Sequence, residues 1–277
     1  MGHSHRIAGI DMSKWQPFPH DAKPFDYDRA QLQQAWADLH ASDLVPWPED
    51  AADPQHADAC IAAWQHFHAG RFAQACDEAA RAGTHGFAPH CKALIVYADH
   101  LEDDESRQQA LYQQATDIAE QACAEFPDLP AAHYYHAYAL GRYGQSISVV
   151  KALRQGLGSK VAESLDAALS LAPDYPDAHL ALGLYHAEII DKVGKMVARM
   201  TYGSTREKAM QHLQRALELN PRPPVTQVEY GNGIFMLFGD ERLEEANDCY
   251  RRAAETTPLD AMEKLDQEFA ASEVAAL

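Results

Sequence analysis

One spacing pattern recurs four times along the sequence and constrains its fold more than any other feature. Each copy places small or apolar residues five, eight and twelve positions before a proline, and the four prolines are Pro127, Pro173, Pro221 and Pro258. Offsets of three and four residues put such positions on one face of a helix, where small side chains admit a close neighbour. A proline just beyond the last turn ends a helix. The pattern therefore predicts four helices, each packed tightly against another. Five positions before the prolines stand Ala122, Ala168, Ala216 and Ala253. Eight positions before them stand Ala119, Leu165, Leu213 and Tyr250, and twelve positions before them stand Ala115, Val161, Ala209 and Ala246.

A second set of helices is predicted between these four. Pro130 and Pro176 stand at a favourable first position of a helix, and Ala137 and Gly183 follow them as small residues. An earlier segment, residues 63–83, reads as a helix, a glycine turn and a second helix. Together these segments resemble the tetratricopeptide repeat (TPR) family, whose repeat is 34 residues in two antiparallel helices. The resemblance covers roughly residues 55–258. It implies an all-α fold, a right-handed α-solenoid of about five TPR-like antiparallel helix pairs.

Two of the pairs exceed 34 residues, the third by about a dozen and the fourth by fourteen. The added segments have apolar residues at helical spacing, Ile147 and Leu157 in one and Val193 and Met200 in the other, so we expect extra helix and not loop. This elongated form resembles the regulator of microtubule dynamics family, most strongly over residues 195–221. It also resembles the T-component associated with TRAP transporters. Both resemblances imply a shape and not a specific biological role.

The sequence outside the repeats suggests two caps. Residues 1–50 comprise an aromatic and proline-bearing arm followed by a helix, residues 51–258 the repeats, and residues 259–277 a C-terminal capping helix, all in one continuous structural domain. The arm carries aromatic residues that are costly to leave in water, including Trp15 and Phe18. We expect it to lie along the solenoid surface or on another subunit.

Charge and cysteine content narrow the functional classes. The chain has 23 basic and 41 acidic residues, a formal charge of -18, which disfavours binding to nucleic acid. Residues 142–215 hold ten basic and seven acidic residues, so this stretch carries +3 and the remainder -21. Five cysteines without CxxC spacing favour a reducing compartment, and the sequence shows no export signal and no apolar run of membrane-spanning length. We therefore expect a cytoplasmic protein without membrane insertion.

The TPR resemblance also implies a concave groove lined by the first helix of each pair. The positions that face such a groove correspond here to aromatic residues and one arginine, which would suit an extended peptide or a partner helix. The alternative is that several of them are core residues, because a helix phase can slip by one position. The candidate groove residues are Trp64, Phe67, His68, Tyr134, Tyr138, Arg142, Phe235 and Phe238.

The elongated pairs carry five cations beside their apolar stripes: Lys151, Arg154, Lys192, Lys195 and Arg199. Three interpretations stay open for this basic surface. It could clamp an acidic partner, support self-association into a homo-oligomer, or be a solvated outer face.

The fifteen histidines raise the question of a metal site. His133 and His136 have helical spacing, and His179 and His186 could join them across neighbouring first helices, but no HExxH motif or matching carboxylate completes a site. The stretch Gly2-His3-Ser4-His5 could chelate Cu(II) or Ni(II) at a free amino terminus. A structural or surface role is the simpler interpretation of the paired histidines, and an expression remnant or a disordered tail is the simpler interpretation of Gly2 to His5.

The sequence thus predicts a non-catalytic protein-interaction scaffold without a cofactor. Nucleotide fingerprints, a GxSxG motif and paired catalytic carboxylates are not found in the sequence. The second hypothesis is a small-molecule or metal-binding protein with a pocket between the long helices. The identity of the partner is not encoded in any feature of the chain.

Overall fold

The computed structural model describes residues 6–7, 10–51 and 54–276, and most of these residues are helical. A two-residue antiparallel strand pair, β1 (Arg6–Ile7) with β2 (Ile10–Asp11), precedes the helices. The helices are α1 (Arg29–Leu39), α2 (Pro48–Ala51), α3 (Pro54–His68), α4 (Phe72–Arg81), α5 (Phe87–His100), α6 (Glu105–Glu125), α7 (Pro130–Gln145), α8 (Val149–Arg154), α9 (Leu157–Leu171), α10 (Pro176–Val193), α11 (Lys195–Tyr202), α12 (Arg206–Leu219), α13 (Pro224–Phe238), α14 (Leu243–Ala254) and α15 (Ala261–Ala276).

The helices divide between two compact units. The first unit holds the described residues of 1–40 and 45–157 together with 260–262. The second holds residues 41–44, the described residues of 158–259, and 263–276. The boundaries at residues 50 and 258 that the repeat pattern suggests stay a prediction.

In the first unit, α3 pairs with α4 and α5 pairs with α6, while α7 packs on both α5 and α6. The helices α3, α5 and α7 therefore form one layer, and α4 and α6 form the other. The patterned small residues make the close approach possible, since Ala115, Ala119 and Ala122 of α6 are all fully buried. Helix α6 ends at Glu125, two residues before the proline that the pattern identifies as its stop.

The N-terminal arm lies on the first unit of its own chain. Trp15 stacks on Tyr97 of α5 with ring centroids 3.8 Å apart and planes within 9°. Phe25 is buried, and the arm then enters α1 through a reciprocal capping box between Asp28 and Gln31. Of the two placements expected for the arm, the structure shows the one on the protein's own surface.

In the second unit, α10 pairs with α12 and α13 with α14, and the first helices α10 and α13 also contact each other. Gly183 of α10 meets Leu213 of α12 so closely that an added Cβ would stand 2.7 Å from the Leu213 Cγ. The extra segments are helical, as the sequence predicts. They form separate short helices, α8 and α11, because the chain breaks at residues such as Gly194, whose φ is 80°.

These arrangements confirm the predicted all-helical, TPR-like fold class. The repeat signals that predicted it were the small residues and closing prolines, and both occupy the expected places. Trp64 and Phe67, two of the expected groove residues, are instead among the largest fully buried side chains.

Candidate partner-binding surfaces

Helix α11 presents an apolar face to solvent in the second unit. Met196 is 76% exposed, Val197 48% and Met200 81%. At 100° per residue these three side chains share one side of the helix, while Ala198, which is fully buried, points the opposite way. Helix α11 thus has two apolar sides, and the protein covers only one of them.

Cations flank this exposed face, which we call the α11 outer face and define by Met196, Val197 and Met200. Lys195 and Arg199 are exposed on the same helix. Lys192, just before it, forms an i,i+4 pair with Glu188 at 3.5 Å, with both side chains partly exposed. An apolar strip edged by cations is complementary to an apolar surface that carries carboxylates.

The other two predicted cations lie apart from this group, on α8 of the first unit. The Lys151 Nζ stands 5.6 Å from the centre of the Tyr143 ring, a cation–π contact, and Arg154 is exposed. Two of the five cations therefore lie in the first unit and three in the second.

Helix α7 carries a stack that includes three of the expected groove residues. The Tyr134 and Tyr138 rings are 5.9 Å apart and nearly parallel, and the Arg142 guanidinium lies 5.8 Å from the centre of the Tyr138 ring. Arg142 also pairs with Asp99 of α5 at 3.2 Å. Tyr134 is buried, so Tyr138 and Arg142 supply the accessible part of the stack.

Trp64 and His68 are core residues, which corrects the expectation that they line an open groove. Trp64 is 1% exposed and His68 is fully buried, because α1 packs over α3. The His40 ring lies 4.5 Å from the ring of Trp64 and 5.3 Å from that of His68. The His68 Nδ1 is also 2.8 Å from the Asp260 carboxylate. Other segments of the protein therefore cover both side chains.

The two phenylalanines of α13 differ in environment. Phe235 is 49% exposed. Phe238 is partly buried between two guanidinium groups, with the Arg206 and Arg242 Cζ atoms 5.0 and 4.5 Å from its ring centre. Phe235 is therefore accessible to a partner, whereas Phe238 already has cation–π partners.

Two of the candidate metal histidines have a structural role that recurs from repeat to repeat. The Nε2–H of His133 donates to the Pro127 carbonyl at 2.7 Å, and that of His179 donates to the Pro173 carbonyl at 2.8 Å. In the next repeat the Gln227 side-chain amide donates to the Pro221 carbonyl at 2.7 Å. Each bond runs six residues back, from the first turns of a first helix to the proline that closes the preceding pair.

The histidine set that the sequence suggested does not form a metal cluster. In the described part of the chain, no group of three or more His, Cys, Asp or Glu side chains has an arrangement that could hold a metal ion. His179 pairs with His212, which the sequence did not single out, and His186 bonds to the Ser204 hydroxyl at 2.9 Å. His133 and His136 lie on α7 of the first unit. The residues Gly2 to His5 lie outside the described residues.

Burial sets the ionisation of the second unit's histidines. The pKa values of His186 and His212 are each lowered to about 4, mainly because burial penalises the charged imidazolium. Repulsion from neighbouring groups lowers the two pKa values further: His212 acts on His186, His179 acts on His212, and Lys208 acts on both. Both rings are therefore neutral at pH 7.

The cysteines are inert for a similar reason. All five are free, and burial raises the pKa of the Cys60 and Cys123 thiols to about 11. A thiol with such a pKa has little thiolate at neutral pH and is a poor nucleophile.

Sequence reasoning missed the α11 outer face as a distinct feature. The helical spacing of Val193 and Met200 predicts one continuous apolar stripe, but the helix restarts after Gly194 and Met200 is turned outward. A separate finding concerns membranes: among the helices in the described ranges, none combines the length and the hydropathy required to span a bilayer.

Comparison with known proteins agrees with this architecture. The structure is similar to that of a thermophilic TPR protein from Thermus thermophilus, TTC0263, with a TM-score of 0.56 and 17% sequence identity. The similarity covers 78% of this chain and 99% of that one. A search of curated proteins gives no match. Residues 89–272 match the family described as Regulator of microtubule dynamics protein 1-3, which is well over half of the sequence. The chain therefore belongs to the regulator of microtubule dynamics protein 1-3 family.

Proposed function

We propose that this protein is a non-catalytic scaffold that binds a partner helix or an extended peptide, with the α11 outer face as its main contact surface. The observation that carries the proposal is the exposure of Met196 and Met200 on a helix whose other side is already packed. Contiguous exposed apolar side chains mark interaction sites in monomeric proteins. Methionine is well suited to such sites because its flexible, polarisable side chain adapts to different partner shapes.

The surroundings of α11 favour an acidic partner. Lys195 and Arg199 are exposed beside the methionines, within a stretch of net charge +3 in a chain of net charge -18. An amphipathic helix with apolar residues at i and i+4 and carboxylates along one edge matches this pattern. The family name, which refers to regulation of microtubule dynamics, is compatible with action through a protein partner.

Helix α7 offers a second contact for the same scaffold. Tyr138 and Arg142 are partly exposed, and their stacked arrangement with Tyr134 fixes their positions. Rigid aromatic and arginine side chains supply binding energy at a low cost in conformational entropy. We propose that this surface is the open part of the groove that the TPR resemblance implies. We also propose action in the cytoplasm, in keeping with free cysteines.

The experiment is an affinity capture that compares variants of the full chain. The Met196→Glu/Met200→Glu double variant should lose a specific partner by at least about tenfold, because the new carboxylates repel an acidic partner and remove apolar contact area. Tyr138→Ala, which changes the accessible ring of the α7 stack, tests the second surface in the same way. The captured partner is then purified, and its dissociation constant is measured against each variant by calorimetry.

Leu171→Glu is the matched control. Leu171 is also an exposed apolar residue of the second unit, but it lies on α9, so its replacement should leave capture unchanged. If the partner is retained equally by all variants, or lost equally from the Leu171→Glu control, the α11 outer face is not the binding surface.

Self-association through the same face is distinguished by mass. Light scattering at micromolar concentration gives a monomer if α11 is reserved for a different protein. A dimer that dissociates in the Met196→Glu/Met200→Glu variant identifies a second copy of the chain as the partner.

A further inference from the structure

The N-terminal arm, residues 12–27, is bound to the first unit in the manner of a peptide ligand. Three of its side chains face the unit at intervals of three residues: Met12 is buried, and Trp15 and Phe18 are partly buried. Pro17 and Pro19, between and after them, are exposed. Met12–Lys14 form a 3-10 turn in which the Trp15 N–H donates to the Met12 carbonyl at 3.1 Å, and residues 15–22 contain neither helix nor strand. Residues three apart share one side of a 3-10 turn, so Met12 and Trp15 lie on the same edge of the arm.

The surface below the arm has complementary features. The Tyr97 ring is 1% exposed and provides a flat platform for Trp15, while its hydroxyl accepts a hydrogen bond from the Gln16 backbone N–H at 3.0 Å. Phe18 lies over Gly70, where an added Cβ would stand 2.6 Å from the Phe18 Cγ. Only a residue without a side chain leaves room for the ring.

Two polar contacts fix the far end of the arm. The Arg71 guanidinium pairs with the Asp26 carboxylate at 2.9 Å, and the Gln65 side-chain amide donates to the Tyr27 carbonyl at 3.0 Å. Aromatic rings, a backbone hydrogen bond and an arginine–carboxylate pair are the contacts by which proteins bind extended proline-containing peptides. Helical or sheet hydrogen bonding does not connect residues 15–22 to the unit, so side-chain contacts and the Gln16 backbone hydrogen bond hold this part of the arm.

We propose that the surface formed by Tyr97, Gly70, Gln65 and Arg71 is a binding site for extended peptides, and that the arm is its tethered occupant. The ligand class is a peptide with two aromatic residues three positions apart, a proline between them, and a carboxylate further along. The arm competes with such a peptide and keeps the site closed until it is displaced. This site lies in the first unit and is independent of the α11 outer face.

The test uses the full chain and a fluorescein-labelled peptide of residues 12–27. Trp15→Ala/Phe18→Ala removes both anchors from the arm and leaves the site itself intact. A segment tethered by a short linker acts at a local concentration on the order of 1 mM, so the free peptide competes poorly with it in the unmodified protein. Fluorescence anisotropy should therefore show at least about tenfold tighter peptide binding to the double variant.

Two controls make the result specific. Gln16→Ala changes an exposed arm residue but keeps the backbone N–H, so peptide affinity should equal that of the unmodified protein. A peptide with alanine in place of both aromatic residues should fail to bind the double variant. Equal affinity of the peptide for all chains, or equal binding of the alanine peptide, overturns the proposal.

A second measurement covers the case in which the double variant does not fold. Hydrogen exchange in the unmodified protein should be at least about tenfold faster at the Gln16 amide than at the amides of α5, since the arm opens while the unit stays folded. Exchange of Gln16 at the same rate as the α5 amides would show that the arm is an integral part of the unit, and the proposal would then be wrong.

Discussion

His179 and His212 face each other with their Nδ1 atoms 2.8 Å apart. The Nε2–H of His179 is already donated to the Pro173 carbonyl, so its Nδ1 is the acceptor when the ring is neutral, and His212 supplies the proton. Only one proton can lie between the two Nδ1 atoms. Together with His186, these two rings form a histidine cluster between α10 and α12, and burial favours the neutral form of His186 and His212.

The cluster makes the second unit sensitive to acid. The pKa values of His186 and His212 are about 4 in the folded protein and 6.5 in an ordinary setting, so the unfolded chain binds more protons between these values. Stability is therefore full above pH 6.5, falls as the pH drops toward 4 and levels off below that. The loss is on the order of 3 kcal/mol for each histidine, since each pKa unit corresponds to about 1.4 kcal/mol. Urea unfolding at pH 7.5, 6, 5 and 4.5 measures it.

His212→Gln is the informative variant for that measurement. The glutamine amide can still donate to His179 but cannot take up a proton, so the fall in stability between pH 6.5 and 4 should be roughly half that of the unmodified protein. Parallel curves for the two proteins would show that the carboxylates alone cause the acid sensitivity.

The hydrogen bond from a first helix back to the preceding proline carbonyl should tolerate glutamine in place of histidine. Gln227 makes this bond naturally, so His133→Gln should change the free energy of unfolding by less than about 0.5 kcal/mol. His133→Leu removes the donor and should cost about 1 kcal/mol. Thermal unfolding compares the two, and equal stability of the variants would show that the bond contributes nothing.

Close helix packing at Gly183 should be intolerant of a single methyl group. The added Cβ of Gly183→Ala would stand 2.9 Å from the Leu213 backbone nitrogen, which cannot move away as a side chain can. We expect a loss of about 1–3 kcal/mol. Gly141→Ala on α7 is the control, since its Cβ meets nothing within 4 Å and helix propensity alone should stabilise the protein by about 0.5–1 kcal/mol. Denaturant unfolding that gives both variants the same sign would contradict this account.

The buried contact between His68 and Asp260 should be costly to break. Asp260→Ala leaves the Nδ1 of a fully buried ring without this acceptor, and the expected loss is about 1–3 kcal/mol. Asp174→Ala is the comparison, because it removes an exposed contact with Arg215 and should cost less than about 1 kcal/mol. A loss at Asp260 no larger than that at Asp174 would assign the buried pair no special role.

The repeat architecture could be predicted from the sequence because its signals are local. Ala209, Leu213 and Ala216 lie within one helix, and their spacing alone indicates a buried face, which the structure confirms. The closing prolines act through the geometry of the residue before them. Neither signal depends on how distant segments of the chain are placed in the fold.

The candidate site was harder to predict because it depends on distant segments. Trp64 and His68 have the spacing of groove residues, and only the docking of α1 shows that they are covered. The outward turn of Met200 depends on the break at Gly194, which a continuous helical pattern does not reveal. Whether the tyrosines of α7 bind a partner stays a prediction.

The contact between His68 and Asp260 also affects how the protein folds during translation. Asp260 belongs to the first compact unit, yet it leaves the ribosome 192 residues after His68. During translation the His68 ring has no Asp260 carboxylate until residues 158–259, most of the second unit, have been synthesised. The N-terminal helices therefore emerge as an incomplete structure, exposed for that interval to premature association and to chaperones. Folding of the first unit is finished only when translation has passed residue 260.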